Sequence, residues 1–152
     1  MEKIKSFTIN HDTLQVGMYT SRIDGDIVTY DIRLVRPNTG VYLSTGSLHT
    51  IEHLFATYAR NSEYKDGVIY VGPMGCRTGC YLLTRGLTPE EAIRLVQDSF
   101  AFIRDFNGEV PGAKKSECGN YLDHDLNAAK KDIVPFLAAI ENYGVENLKY
   151  AE

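Results

Sequence analysis

The chain has 152 residues and a formal net charge of −4, from 16 lysines and arginines against 20 aspartates and glutamates. This length supports a hydrophobic core, and we expect residues 1–152 to form a single domain. The acidic balance argues against a surface that binds nucleic acid or anionic lipid. No apolar run reaches the length of a membrane span, and the first residues lack the apolar stretch of a signal peptide. We therefore expect a cytoplasmic protein with no nucleic-acid or membrane partner.

Most of the predicted strands lie in the first half of the sequence. Five runs of alternating or β-branched residues are typical of strands: residues 7–9, 18–23, 27–35, 68–71 and 80–84. The second and third runs flank Asp24-Gly25-Asp26, and because glycine tolerates a positive φ this pair of runs predicts a β-hairpin. The last two runs flank a glycine-rich turn at residues 72–79.

A helix is predicted over about residues 47–60, with Ser47 as its N-cap. Its apolar stripe consists of Leu48, Ile51, Leu54, Phe55 and Tyr58. His49, Glu52 and His53 lie largely off that stripe, and spacings of three and four residues place them on one face. We therefore expect this helix to have one face toward the core and a second face that carries chemical groups.

Two further helical regions are predicted in the second half. Thr88 is a capping residue, Pro89 suits the first helical position, and Glu91 completes a capping box. The last helical region spans about residues 123–144, and Pro135 must kink or split it. Strands collected early and helices later indicate an α+β fold, with a mainly antiparallel sheet packed against a layer of helices.

The segment His49-Thr-Ile-Glu52-His53 indicates a metal site. Two neutral imidazoles at i and i+4 can bind one transition metal, and the carboxylate between them can act as an acid or base, as in the reversed zinc-peptidase signature H-x-x-E-H. The third ligand can be a carboxylate, His11, His124 or a cysteine. By residue type Cys118 is the best candidate, and a free thiol is its alternative role. Two nitrogens and one sulfur leave a fourth position open, which is typical of a catalytic site.

Three cysteines cannot all pair within one chain, and in a reducing compartment they are expected to be thiols, ligands or nucleophiles. Cys76 lies between glycines, and the adjacent Arg77 favours the thiolate, the form that does acid–base or nucleophilic work. Its alternative role is that of a small buried hydrophobic residue, which is the role expected for Cys80. Taken alone, His124 indicates a residue that orients a loop or caps a helix, and Arg33 indicates a solvated charge.

Several motifs occur in a fixed order along nearly the whole chain. They are Ser6-Phe, His11, Tyr30-Asp-Ile-Arg33, Pro37-Asn38, His49-Thr-Ile-Glu-His53-Leu, Gly72-Pro-Met-Gly-Cys76-Arg-Thr-Gly, and Cys118-Gly followed by His124-Asp-Leu. Together they resemble the S-ribosylhomocysteine lyase family, LuxS. Two features depart from the family pattern. Many relatives carry an aspartate where this chain has Tyr70, and the segment between His53 and Cys76 is shorter than in some relatives.

The resemblance implies an enzyme that cleaves S-ribosyl-L-homocysteine to L-homocysteine and 4,5-dihydroxy-2,3-pentanedione, the precursor of autoinducer-2. Such an enzyme serves the activated methyl cycle and quorum sensing. The resemblance also implies one divalent metal per subunit, Fe(II) in the native form with Zn or Co as replacements, held by His49, His53 and Cys118. Cys76 and Glu52 would be the catalytic acid/base pair.

The resemblance further places Ser6, His11 and Arg33 near the substrate, in active sites formed at a homodimer interface. Two other functions are alternatives to the lyase. One is a metallopeptidase in which Glu52 activates water; it lacks an obvious carboxylate as third ligand and leaves Cys76 without a role. The other is a metal-binding or signalling module without enzymatic activity.

Overall fold

The structure is a computed structural model that describes residues 1–151. Its four strands are β1 (Gly17–Asp24), β2 (Ile27–Arg33), β3 (Val68–Pro73) and β4 (Gly79–Arg85). Its four α-helices are α1 (Thr45–Asn61), α2 (Pro89–Asp105), α3 (Leu126–Asp132) and α4 (Val134–Ile140). Three short 3-10 helices span Lys5–Phe7, Lys65–Gly67 and Val145–Leu148. None of the helices within residues 1–151 is long and apolar enough to cross a membrane.

The four strands form one antiparallel sheet in the order β1-β2-β4-β3. Asp24 pairs with Ile27, so the β1–β2 connection is a two-residue hairpin, as predicted, and Gly25 has a φ of 63°. A close approach between strands also requires glycine at one position. A Cβ on Gly79 would overlap the carbonyl oxygen of Ile32 on β2.

The core lies between the sheet and the helices. Helix α1 packs against β3, α2 and α3, and its stripe residues Leu48, Ile51, Leu54 and Phe55 are buried as predicted. The ring of Phe100 on α2 lies 5.0 Å from that of Phe55 and 4.7 Å from that of Phe136, measured between centroids, and so joins α1, α2 and α4. The predicted α+β class, an antiparallel sheet covered by helices, is confirmed.

Two features predicted for the later helical regions, a capping box and a break at Pro135, are also confirmed. The Thr88 side chain accepts from the Glu91 N–H at 3.1 Å, and the Glu91 carboxylate accepts from the Thr88 N–H at 2.9 Å, so the capping box forms. The last helical region divides at Ile133 into α3 and α4, with Pro135 in the first turn of α4. Proline suits that position because its missing N–H is one that the first turn leaves free.

Three sequence predictions about local structure are wrong. Residues 7–9 do not form a strand, because the N–H and hydroxyl of Thr8 both bond to Lys5 and close a 3-10 turn. Helix α1 is capped by Ser44 rather than Ser47. The Ser47 hydroxyl, fully buried, donates instead to the Asp132 carboxylate at 2.7 Å. Strand β2 ends at Arg33 rather than at residue 35, because the next two backbone N–H groups turn toward the carbonyl of Thr78.

Candidate metal centre

Helix α1 places His49 and His53 one turn apart, with ring centroids 4.6 Å from each other. His49 Nδ1 lies 2.8 Å from the carbonyl oxygen of Asp123, and His53 Nδ1 lies 2.9 Å from that of Pro111. A carbonyl only accepts, so both Nδ1 atoms carry the ring proton and both Nε2 atoms keep a free lone pair. This is the tautomer that a metal ligand needs, and a backbone carbonyl is a common partner for such a histidine.

The loop that holds His53 depends on a glycine. Gly112 has a φ of 71°, and a Cβ on it would lie 3.2 Å from His53 Nδ1. A side chain at this position would therefore strain the backbone and crowd the bond that orients the imidazole.

Cys118 reaches the same face of α1 from a loop far along the chain. Its Sγ lies 3.4 Å from His49 Nε2. Metal–nitrogen bonds of about 2.0 Å and metal–sulfur bonds of about 2.3 Å, at a tetrahedral angle, separate two ligand atoms by about 3.5 Å. The pair thus already has the spacing of two ligands on one ion. Nitrogen and thiolate donors suit zinc, iron and cobalt rather than magnesium or calcium.

His124 is the fourth member of this group. Histidine nitrogens of His49, His53 and His124 and the sulfur of Cys118 all lie within 4.8 Å of one another. The His124 ring stacks on that of His49 with centroids 3.9 Å apart, its Nδ1 is 3.0 Å from Thr50 Oγ1, and its buried Nε2 has no hydrogen-bond partner among the described residues. Burial lowers the pKa of His124, and a positive charge on His49 or His53 would lower it further. The sequence includes His124 among the candidate third ligands, although taken alone it favours a residue that orients a loop or caps a helix.

Cys76 belongs to a second polar group, built on a buried ion pair. Arg33 forms two hydrogen bonds to Asp31, at 2.7 and 3.1 Å, and the residues are 2% and 1% exposed. The sequence-based expectation that Arg33 is a solvated charge is wrong, because Asp31 lies two residues away on the same strand face and neutralises it. Burial alone lowers the pKa of Arg33, but the charge of Asp31 and its hydrogen bonds raise it above the ordinary value overall.

Arg33 also extends toward the cysteine. Its Nη1 donates to Thr78 Oγ1 at 2.8 Å and lies 4.0 Å from Cys76 Sγ, while Thr78 Oγ1 is 3.1 Å from that sulfur. The guanidinium of the Arg33–Asp31 pair and the Thr78 hydroxyl therefore both face the sulfur of Cys76 in the exposed turn. Thr78 was missed in the sequence, although its spacing of two residues from Cys76 within the turn was a usable signal.

The residues expected near the substrate line one cavity of about 340 Å³. Ser6, His11, Arg33 and Cys76 all lie on its wall. A neighbouring cavity of about 380 Å³ is lined by Glu52 and His49, among others. Pro73, Met74 and Gly75 line both cavities, so the glycine-rich turn separates them.

Cys80 occupies a third environment. It is fully buried in β4, and burial raises the pKa of its thiol well above the ordinary range. This agrees with the structural role expected from the sequence, and it makes Cys80 a useful control for the other two cysteines.

Comparison with known proteins gives a consistent result. Residues 4–146 match the family model described as S-Ribosylhomocysteinase (LuxS). The chain is 48% identical over 158 aligned residues to the S-ribosylhomocysteine lyase of Clostridium acetobutylicum, with 100% of each chain covered. It is 49% identical to that of Phocaeicola vulgatus, covering 99% of this chain and 98% of the relative, and 42% identical to that of Borreliella burgdorferi, covering 99% of both. The chain therefore belongs to the LuxS family.

Proposed function

We propose that this protein is a metal-dependent carbon–sulfur lyase that converts S-ribosyl-L-homocysteine to L-homocysteine and 4,5-dihydroxy-2,3-pentanedione, the precursor of autoinducer-2. The observation that carries the proposal is the distance of 3.4 Å between Cys118 Sγ and His49 Nε2. His49 lies on α1, the helix that also bears Glu52. Full-length relatives named S-ribosylhomocysteine lyase support the choice of substrate. The products place the enzyme in the activated methyl cycle and in the synthesis of a quorum-sensing signal.

The metal is proposed to be one divalent ion per subunit, held by His49, His53 and Cys118. Fe(II) is our first choice, with zinc or cobalt as functional replacements, since the donor set accommodates all three. When bound, the ion would supply Lewis acidity that polarises a carbonyl oxygen of the opened sugar and makes the adjacent C–H more acidic. The two histidines are already in the tautomer that leaves their Nε2 atoms free for it.

Cys76 is proposed to move protons between sugar carbons. As a thiolate it removes a proton from one carbon and returns it to the next, so that the carbonyl migrates along the chain. Arg33, 4.0 Å away, stabilises the anion before the proton is taken, and Thr78 donates its hydroxyl to the sulfur. Glu52 is proposed as the second acid/base, which transfers protons among the sugar oxygens and assists β-elimination of the homocysteine thiolate.

Ser6, His11 and Arg33 are proposed to position the substrate, because they share a cavity with Cys76. His11 Nδ1 lies 2.9 Å from the carbonyl oxygen of Ile9, so the ring donates there and its Nε2 is available to accept a hydrogen bond. We also infer a single domain, since the buried core is continuous from the sheet to α4, and a cytoplasmic location, since free thiols are typical of a reducing compartment.

A homodimer with active sites at its interface is part of the proposal. The cavity that contains Cys76 is lined by neither Glu52 nor the metal-site histidines, as far as residues 1–151 show. The acid/base pair is therefore divided between two cavities of one chain, and a second copy would bring the Cys76 cavity of one subunit against the metal centre of the other.

Mixing two inactive variants tests this arrangement. In the proposed dimer each active site takes Cys76 from one subunit and Glu52 from the other. Cys76→Ala and Glu52→Gln dimers should each be inactive. A mixed dimer would contain one site in which both residues are altered and one site in which both are intact. After denaturation and refolding of an equal mixture, about one quarter of the wild-type rate should return, because half the dimers are mixed and each has one intact site of two. No recovery, in a mixture that contains mixed dimers, would place both residues of each site in one chain.

The lyase activity is tested by homocysteine release from S-ribosylhomocysteine together with the metal content of the same samples. Cys76→Ala should keep the metal of the wild type and lose about 10²–10⁴-fold in turnover. Cys118→Ala should show the reverse order, with loss of the metal as the primary defect. Cys80→Ala is the matched control and should keep both metal and activity. Metal loss in Cys76→Ala, or full turnover without Cys118, would contradict the assignments.

The peptidase alternative is not favoured. The group of possible ligands contains a cysteine sulfur and no carboxylate. A peptidase would also leave the arrangement of Arg33, Thr78 and Cys76 without a role. A module without enzymatic activity would need no such cysteine either.

A further inference from the structure

We propose that His124 is a hydrogen-bond donor to the oxygen atom, of water or of substrate, that occupies the position left open by His49, His53 and Cys118, and that it is not a fourth metal ligand. The inference rests on the proposed function, because it assigns a role in the same site. It follows from the way in which each imidazole of the cluster is held.

Thr50 determines the tautomer of His124. The Thr50 side chain is completely buried, and its Oγ1 accepts the backbone N–H of Asp125 at 3.0 Å. The same Oγ1 lies 3.0 Å from His124 Nδ1. Within residues 1–151, this nitrogen is the one atom placed to accept the proton of the Thr50 hydroxyl. A threonine hydroxyl has one proton to donate, and this proton goes to the lone pair of Nδ1. The His124 ring is then neutral and carries its own proton on Nε2.

The other two histidines are held in the opposite way. His49 and His53 each have Nδ1 against a backbone carbonyl, which has no proton to give. Their ring protons lie on Nδ1 and their Nε2 lone pairs are free. Although three imidazoles converge, two have the tautomer of a ligand and the third has the tautomer of a donor.

The free donor lies beside the ligands. His124 Nε2 is buried and has no partner in the described part of the chain, and the ring contacts those of His49 and His53 with centroids 3.9 and 4.7 Å away. A buried N–H without an acceptor is unfavourable, so we expect the site to bind a hydrogen-bond acceptor that the described residues do not supply. An oxygen atom in the open position would accept this proton, and a donor fixed in place stabilises negative charge that develops on such an oxygen.

The tautomers can be measured directly by two-bond ¹H–¹⁵N NMR on zinc-loaded, ¹⁵N-histidine-labelled protein without substrate, with His124 assigned from the spectrum of His124→Gln. We expect the His124 proton on Nε2 and the protons of His49 and His53 on Nδ1. A proton on Nδ1 of His124, with its Nε2 shifted by metal, would overturn the proposal. Thr50→Val should reduce the Nε2–H population, whereas Thr50→Ser should preserve it.

Metal content and kinetics give a second, independent test. His124→Leu should retain the zinc stoichiometry of the wild type and lower kcat about 10²–10³-fold, as expected when one donor to a developing oxyanion is removed. His124→Gln, whose side-chain amide can still donate, should recover part of the loss. Zinc loss in His124→Leu, or unchanged kcat, would overturn the proposal. If the wild type itself released no homocysteine, the proposed function would fail while the NMR tautomers still tested the placement of the proton.

Discussion

Asp31→Asn should destabilise the protein by about 3–5 kcal/mol, the cost of leaving one member of a buried ion pair without its partner. Arg33 is 2% exposed and keeps two bonds to the Asp31 carboxylate, at 2.7 and 3.1 Å, so the variant leaves a buried guanidinium opposite a neutral amide. For a chain of this length the loss corresponds to a fall in Tm of roughly 6–20 °C.

The same hairpin offers a matched control. Arg22 and Asp24 on β1 also form a two-bond pair, with both distances 2.6 Å, but their side chains are 56% and 47% exposed. Asp24→Asn should change stability little, because water screens the charges and solvates the arginine that remains. Urea unfolding of both variants, fitted with a common m-value, gives the comparison. Similar small losses for the two variants would refute the view that burial makes the Asp31–Arg33 pair essential.

Three further predictions concern the same scaffold. Tyr150→Phe removes the hydroxyl that donates to Asp31 at 2.8 Å and should cost about 1.5–3 kcal/mol in urea unfolding. Thr88→Ala removes the cap of α2 and should cost about 1 kcal/mol, whereas Thr88→Ser should cost much less. Burial, followed by the charges of Tyr143 and Asp31, raises the pKa of Tyr19 to about 12. The folded pKa therefore exceeds the unfolded value of about 10, so this stabilisation is complete below pH 10 and is lost as the pH rises through about 12. Urea unfolding across this range should show a shallower fall for Tyr19→Phe than for the wild type.

Local patterns in the sequence were enough to predict several elements of the fold. The capping box at Thr88 and the two-residue hairpin at Gly25 depend on neighbours within four residues, and both are present. The shared face of His49 and His53 follows from helical periodicity, which a correctly predicted helix guarantees.

Long-range contacts account for what the sequence did not reveal. Ser47 has the composition of a cap, but its hydroxyl binds Asp132, 85 residues later, and the helix starts one turn earlier. His124 enters the metal group because Thr50, 74 residues away, holds its ring. The burial of Arg33 could have been anticipated, because an acid two residues earlier on a strand lies on the same face.

The most direct test of the central claim is homocysteine release by anaerobically purified protein of known metal content. With about one divalent ion per chain, the protein should release homocysteine from S-ribosylhomocysteine, and removal of the ion by a chelator should abolish release until metal is restored. Fully metal-loaded, folded protein that releases no homocysteine would contradict the proposal that His49, His53 and Cys118 form the centre of a lyase.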